Sequence, residues 1–445
     1  MSRSLLWSLV CCLGLPIAAV AQQKPTREQL VRQDKQRILA EGFWIYNDLD
    51  RAFAEARKSG KPLLVVLRCL PCEECVKLDD ELIDQDPVVK PLLEKFVCAR
   101  IVGTNGLDLA TFQFDTDQSF AVFLLNADGT IYGRFGTRSH RTEWVGDVSV
   151  AGMARALEGA LELHADYPAN KASLAGKRGP KPVVASPEKF ASLKDKFTDT
   201  LNYEGDVVRS CIHCHQIGDA LRDDFRRRKQ PIPEEVFYPY PHPKSVGLTL
   251  DPKERATVTA VAEDSYAAAA GFKAGDRIET LEGQPLLSVA DVQWVLHQAS
   301  PDGATLTATV VRKGSQDRLT LKLPRGWRRQ GDIQWRSSTW GMRRMATGGL
   351  KLEVLPDAER RELRIPSGEM ALRVQHVGQY GPHAAAKQRG FQQGDIIVSY
   401  DGRRDLLSEA DLLFHGLTDR NVGDEVAVSI LRKGRPQQLK LPMQE

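Results

Sequence analysis

The feature that most constrains this chain is an internal repeat in its C-terminal half. Ala268-Ala269-Ala270-Gly271-Phe272-Lys273-Ala274-Gly275-Asp276 matches Ala384-Ala385-Ala386 and Gly390-Phe391-Gln392-Gln393-Gly394-Asp395, with both glycines displaced by 119 residues. Val311-Arg312-Lys313-Gly314 returns as Leu431-Arg432-Lys433-Gly434, and Leu321-Lys322-Leu323-Pro324 as Leu439-Lys440-Leu441-Pro442. Each copy reads as strand, small-residue helical turn, Gly-Asp turn, strand, Asp-Gly or Glu-Gly turn, helix, then two strands. Two β-rich domains are therefore expected, over residues 245–324 and 341–445.

The other half must be built differently. A chain of 445 residues is too long for one core. With 61 basic and 58 acidic residues the formal net charge is +3, which argues against a general nucleic-acid partner. Met1-Ser2-Arg3, an apolar stretch from Leu5 to Val20 and Ala19-Val20-Ala21 read as a secretory signal over residues 1–21; the competing reading is an uncleaved anchor. No other run is apolar enough to span a membrane, so no stable span is expected after cleavage. Cys11 and Cys12 fall in the signal, which leaves Cys69, Cys72, Cys75, Cys98, Cys211 and Cys214. In an exported protein these can be oxidised or attached to a group.

Cys69-Leu70-Pro71-Cys72-Glu73-Glu74-Cys75 follows the apolar run Leu63 to Leu67 and precedes a helical pattern from Val76 to Ile83. The spacing places Cys72 and Cys75 at a strand-to-helix turn, where the positive end of the helix favours a thiolate. This is a redox pair or a soft-metal site using Cys69, Cys72 and Cys75. Around it run a helical segment within 22–42, an amphipathic helix ending at Gly60, and strands at 95–102 and 119–125. A hairpin strand at 130–135 and a helix from Val150 to His164 complete the region. On these residues the region 43–167 resembles a thioredoxin-fold domain. The resemblance implies that Cys72 attacks and Cys75 resolves, and it makes a thiol–disulfide oxidoreductase the candidate enzyme. Thioredoxins carry a cis-proline facing the CxxC; the matching position here is Phe120. That departure favours metal or cluster binding, and Glu73-Glu74 push thiol pKa upward. Cys98, alternating in a strand, is a buried small hydrophobe.

Residues 168–187 are rich in Ala, Lys, Gly and Pro and read as a linker. Beyond them a segment over 188–244, with helices expected at 188–201 and 217–229, carries Cys211-Ile212-His213-Cys214-His215. CxxCH is the attachment pattern of c-type haem, with both thiols as thioethers and His215 as iron ligand. No methionine lies between Met153 and Met342, so His213 or His242 would serve as the distal ligand, or the iron would stay five-coordinate. The other readings are a zinc or other metal site using Cys211, Cys214, His213 and His215, and a Cys211–Cys214 disulfide. Arg226 to Lys229 reads as a solvated helix end.

Both repeat copies resemble PDZ domains of the bacterial HtrA-protease type. The resemblance implies capture of protein or peptide C-termini by Val246-Gly247-Leu248 and the strand opened by Thr249 and Leu250. For the second copy, Gly349-Leu350-Lys351-Leu352 followed by a helical insert at 357–363 leaves two readings, peptide binding or packing alone. No Ser/His/Asp order with a Gly-x-Ser-x-Gly context accompanies them, so no protease is expected. Trp327, Trp335 and Trp340 among arginines at 325–340 read as a packed connector with cation–π contacts.

The expected fold class is multidomain α/β plus β-rich: a thioredoxin-like α/β sandwich, a short helical CxxCH segment and two PDZ-like, partly open β-barrels. The layout resembles exported bacterial thioredoxin-like/PDZ multidomain proteins. It implies a periplasmic or envelope protein of thiol-redox, metal or haem chemistry that recruits peptide partners and meets a redox partner. The alternative is a non-enzymatic PDZ scaffold with a structural thioredoxin-like domain.

Overall fold

The computed structural model describes residues 25–68, 86–118, 120–137 and 148–445. The signal reading and the segment holding Cys69, Cys72 and Cys75 lie outside the described residues.

The first sheet forms from the most apolar runs. Strands β1 (Ile45–Tyr46), β2 (Leu63–Arg68), β3 (Val97–Val102), β4 (Phe120–Leu125) and β5 (Ile131–Thr137) are ordered β1-β3-β2-β4-β5. β2 is parallel to β3 and antiparallel to β4, and every residue of these three strands is buried. Burial on both faces explains why they read as continuous apolar runs rather than alternating ones. Helices α1 (Arg27–Glu41), α2 (Leu49–Ser59), α3 (Val89–Leu93) and α4 (Val150–Ala165) accompany it. Thr26 and Gln29 form a capping box on α1, while Asp48 and Ser149 cap α2 and α4. Cys98 is buried, its Sγ donating to Leu93 O.

The CxxCH residues open helix α5 (Cys214–Arg227). The first repeat copy then forms strands β6 (Leu248–Leu250), β7 (Val258–Val261), β8 (Arg277–Leu281), β9 (Gln284–Pro285), β10 (Ala304–Arg312) and β11 (Ser315–Leu323), with helix α6 (Val289–Gln298). They make a four-stranded sheet, β11-β10-β8-β9, and a two-stranded one, β6-β7. Helix α7 (Thr339–Thr347) leads into the second copy. That copy holds β12 (Leu350–Val354), β13 (Leu372–Val377), β14 (Ile396–Tyr400), helix α8 (Glu409–Thr418), β15 (Glu425–Arg432) and β16 (Arg435–Pro442), one sheet in chain order. The repeat is visible atom by atom: Arg312 grips Asp276 and the Gly271 carbonyl, as Arg432 grips Asp395 and the Gly390 carbonyl.

Several segments depart from expectation. The stretch read as a linker is packed against three partners. Lys177 is buried in an ion pair with Asp291 on α6 (2.9 Å), its carbonyl accepts from Arg134, and Gly176 O accepts from the Trp294 indole. Residues 188–201 are not a helix. They form a 3-10 turn (Pro187–Lys189) and single turns, because Phe190 and Leu193 are drawn into an apolar cluster with Leu109, Ile212 and Ile217. Arg226, expected in solvent, is buried and donates to the carbonyls of Arg420 and Gln444; Arg227 and Arg228 do remain in exposed pairs along the helix. Trp327 is buried, and cation–π contacts join Arg328, Arg336 and Arg343 to neighbouring tryptophans.

The connector enters the thioredoxin-like half through buried charge. Arg336 Nη1 donates to Asp115 Oδ1 (2.6 Å) and Asp117 Oδ2 (3.3 Å), and Nη2 donates to Pro239 O. Ser338 donates to Asp117 from both its backbone and its hydroxyl. Burial pushes the Asp117 pKa up, but Arg336, Arg222 and the Ser338 hydrogen bonds outweigh it and hold the carboxyl below its ordinary value. Its contribution to stability is therefore complete above the usual carboxylate range and lost as pH falls through the depressed value. Replacing Arg336 with Met removes the ion-pair partner shared by two buried carboxylates and is expected to cost about 3–5 kcal/mol in urea denaturation at pH 7. Arg325→Met, which breaks an exposed pair with Asp302, is expected to leave the midpoint unchanged.

Candidate functional site

The candidate site lies where β2 and β3 end side by side. Arg68, the last residue of β2, is paired with Val102 across the parallel ladder and with Phe120 across the antiparallel one. Phe120 thus occupies the position opposite the strand that runs into the CxxC, as the sequence placed it. The Arg68 guanidinium is buried and donates to Asp34 on α1 at 2.6 Å. Tyr46 donates to the other Asp34 oxygen, and Tyr203 donates to Tyr46. Burial, with Tyr203 and Asp34 adding to it, drives the Tyr46 pKa upward, so this hydroxyl stays protonated and acts as a donor. Neither Asp34 nor Tyr203 carried a motif that marked it beforehand.

The CxxCH segment packs on the same end of the sheet. Beyond β3 the chain turns through Gly103-Thr104-Asn105. The Gly103 amide donates back to Arg68 O, while Thr104 donates to Ile212 O from its amide (3.0 Å) and its hydroxyl (2.9 Å). Asn105 closes the arrangement: its Oδ1 accepts from the Ile212 amide and its Nδ2 donates to Ser210 O. A Cβ on Gly103 would stand 2.9 Å from Cys211 Sγ, and the residue has φ +77°, so glycine is required twice over. A motif separated from β3 by more than a hundred residues is thereby held against that strand's end.

Both thiols face inward. Cys211 is 5% exposed and Cys214 9%, the latter in the apolar layer with Leu107, Phe112 and Phe114. Burial pushes each thiol up to about 12. At neutral pH they are protonated and poor nucleophiles. His213 precedes α5, and its ring lies parallel to that of His215 at 5.9 Å. Burial lowers the His213 pKa, whereas the hydrogen bond to Asp219 (3.4 Å) raises that of His215 above its ordinary value.

These residues fit a c-type haem poorly. Two thioether bonds require both sulfurs at the rim of a slot that admits a porphyrin. Here Cys211 abuts Gly103 and Cys214 is packed in the core, so neither sulfur stands at such a rim. Of the expected metal ligands Cys69, Cys72, Cys75 and His215, only His215 is described. Among the described residues no cluster of three or more His, Cys, Asp or Glu is disposed to hold a metal ion. His242 lies apart from this end, its Nδ1 accepting from the Lys244 amide in the turn before β6.

The expected peptide site is assembled as one strand edge. Val246 and Leu248 are buried, and Gly247 between them has φ +93°; a Cβ there would meet Ser265 Oγ at 2.1 Å. β6 pairs with β7 on one side only, through Leu248–Val261, Thr249–Ala260 and Leu250–Val258, so its other edge carries no strand among the described residues. Helix α6 shares an apolar core with Val246, Leu248 and Leu250. Its outer side packs on β5, where the Asp291 carboxylate accepts from the Arg134 amide and the Arg134 guanidinium lies 3.8 Å over Trp294. Between the thioredoxin-like sheet, α5 and α6 lies a cavity of about 420 Å³ lined by Phe112, Phe190, Leu221, Phe225 and Trp294; it contains none of the expected site residues.

Two measurements test this geometry. In the native chain at pH 8, Cys211 and Cys214 are expected to resist iodoacetamide and to react fully once unfolded; mass spectrometry of the digests reads both. By NMR, His215 is expected to titrate above the ordinary imidazole value and His213 below it, with Asp219→Asn moving only His215 downward. The His215–Asp219 contribution to stability is present below the ordinary imidazole pKa and lost as pH rises through the raised one.

Comparisons with known proteins agree with this architecture. Residues 44–127 match the thioredoxin-like family model, and residues 241–323 match the PDZ domain model. The chain is 28% identical over 152 residues to a probable periplasmic serine endoprotease DegP-like of Pseudomonas savastanoi pv. phaseolicola, covering 34% of this chain and 29% of that protein. It is 25% identical over 187 residues to the like-named protein of Pseudomonas fulva, covering 42% and 37%. The chain thus spans about a third of the length of these curated relatives. Among solved structures, a serine endoprotease from Yersinia pestis aligns at 27% identity over 17% of this chain and 27% of its own, with a TM-score of 0.16. The HtrA-type protease AlgW with decapeptide aligns at 16% identity over 32% and 41%, with a TM-score of 0.21. The chain therefore carries a thioredoxin-like domain and a PDZ domain, followed by a further β-sheet domain, with distant similarity to HtrA/DegP proteins.

Proposed function

We propose that this is an exported thiol-redox protein that captures partner chains through its PDZ domain, with Cys72 and Cys75 as the exchanging pair. The observation that carries the reading is convergence. The CxxCH residues are bonded to the turn after β3, and that turn is bonded to Arg68, whose next residue in the chain is Cys69. The CxxCH segment is thus held at the end of β2, from which the sequence runs on into Cys69-Leu70-Pro71-Cys72-Glu73-Glu74-Cys75.

In the proposed reaction the Cys72 thiolate attacks one sulfur of a client disulfide, forming a mixed disulfide and expelling a client thiolate. The Cys75 thiolate then attacks Cys72 Sγ, leaving a Cys72–Cys75 disulfide and releasing the second client thiolate. The client gains two electrons, and the two protons of the original thiols end on its sulfurs. Cys211 and Cys214, neutral and shielded, take no part in the exchange and anchor the CxxCH segment in the apolar layer. Continued turnover draws on a protein dithiol of the same compartment. The PDZ domain holds the client by strand addition along β6 and by its terminal carboxylate at Val246-Gly247-Leu248. Export is supported by the N-terminal signal pattern and by the distant similarity to periplasmic proteins.

The test is insulin-disulfide reduction by the full chain with dithiothreitol, followed over single and multiple turnovers. Cys72→Ser with Cys75→Ser is expected to abolish it. Cys211→Ala with Cys214→Ala is expected to leave both the first and the later turnovers intact. A second reading, a non-enzymatic scaffold, is favoured by α6 being buried between the PDZ core and the thioredoxin-like sheet. No reduction by the unaltered chain, together with binding of C-terminal peptides near Val246 to Leu250, would establish it instead.

A further inference from the structure

We infer that the second repeat copy does not take peptide ends, because helix α7 of the same chain already occupies the bonding positions a peptide would need. A peptide joining a strand edge needs backbone N–H groups on that edge, and its carboxylate needs the amides of the preceding loop. In this copy both sets are spent. The Gly348 amide donates to Arg344 O (3.2 Å) and the Gly349 amide to Arg343 O (3.0 Å), both carbonyls of α7. The Leu350 amide donates to the Thr347 hydroxyl, which itself donates to Arg343 O. On β12, the outer edge strand of its sheet, the Leu352 amide donates to Glu409 Oε1 at 2.7 Å.

Glu409 opens α8 and is itself held by α7. Arg343 donates to it bidentately, Nε to Oε1 at 3.0 Å and Nη2 to Oε2 at 2.7 Å, with side-chain exposures of 1% and 0%. Expelling α7 would strand a carboxylate and a guanidinium in a dry interface, a penalty one peptide strand does not repay. Tyr400 Oη also donates to Ala346 O, and the Gln444 amide to Met345 O, so the last turns of α7 are bonded from several sides.

The first copy lacks the helix and its Arg–Glu pair, although its Gly247 amide too donates to the preceding turn, at Lys244 O. Its groove helix begins the same way, with Ser288 as N-cap where the second copy has Ser408, but the next residue is Val289 where the second copy has Glu409. Valine offers no acceptor to a neighbouring strand. The segment before β6 is a 3-10 turn (Pro243–Val246) rather than a long helix. Partner selection therefore rests with the first copy, and the second serves as a clamp on α7, whose start is tied to Asp117 through Ser338. This conclusion concerns the same partner-capture reading but does not depend on its success.

Amide hydrogen exchange on the full chain tests it, alone and with a saturating decapeptide that ends in an aliphatic residue and a free carboxylate. Without peptide, the amides of 348–352 are expected to exchange at least about a hundredfold slower than an open chain. With peptide, any new protection is expected at 246–250 and none at 348–352. Near-unprotected exchange at 348–352, or peptide-induced protection there, would overturn the inference. Protection at 348–352 with no effect of peptide anywhere would leave it standing and defeat peptide capture by the first copy.

Discussion

The interaction on which the architecture depends is the buried knot of Asp115, Asp117, Arg222 and Arg336. Its members come from the loop between β3 and β4, from α5, and from the connector between the repeat copies. Charges removed from water must be matched or they destabilise the fold severely. Each of these segments is consequently obliged to sit where the others can neutralise it. A second knot, Asp291 with Lys177 beside Arg134 and Trp294, does the same between α6 and the thioredoxin-like sheet. Through the two, domains that often hang on flexible tethers are locked into one arrangement.

That arrangement gives the thiols their character. Arg68 and Asp34 neutralise each other at the end of β2, while the turn Gly103 to Asn105 holds the CxxCH segment by four hydrogen bonds. The same burial that fixes Cys211 and Cys214 removes their reactivity, because a thiolate in an apolar layer is poorly solvated. A helix N-terminus alone would have favoured the charged form. Here desolvation wins, and the pair is not poised for attack.

Much of the fold was legible from local pattern. The buried strands of the first sheet and the repeat with its Gly-Asp turns follow from short-range periodicity and turn residues. Phe120 was aligned opposite the CxxC strand from the Asn126 to Gly129 turn alone. The errors share one cause. Residues 168–187 have a linker's composition and 188–201 a helix's, yet Gly176, Lys177, Phe190 and Leu193 are recruited by groups far away in sequence. Asn105, which brackets the CxxCH, had no local signal, since its partners Thr198, Ser210 and Ile212 lie 93 to 107 residues downstream.

What the sequence determined by itself was the set of modules and the chemistry of their short motifs, because strands, caps, turns and CxxC spacing act over a few residues. What tertiary structure decided was which of those motifs are available. It turned the CxxCH thiols inward, left one edge of β6 without a strand, and spent the loop amides of the second copy on the chain's own helix. Availability depends on hydrogen bonds and ion pairs between distant segments, and whether a polar group is already satisfied is settled only once the chain has closed on itself.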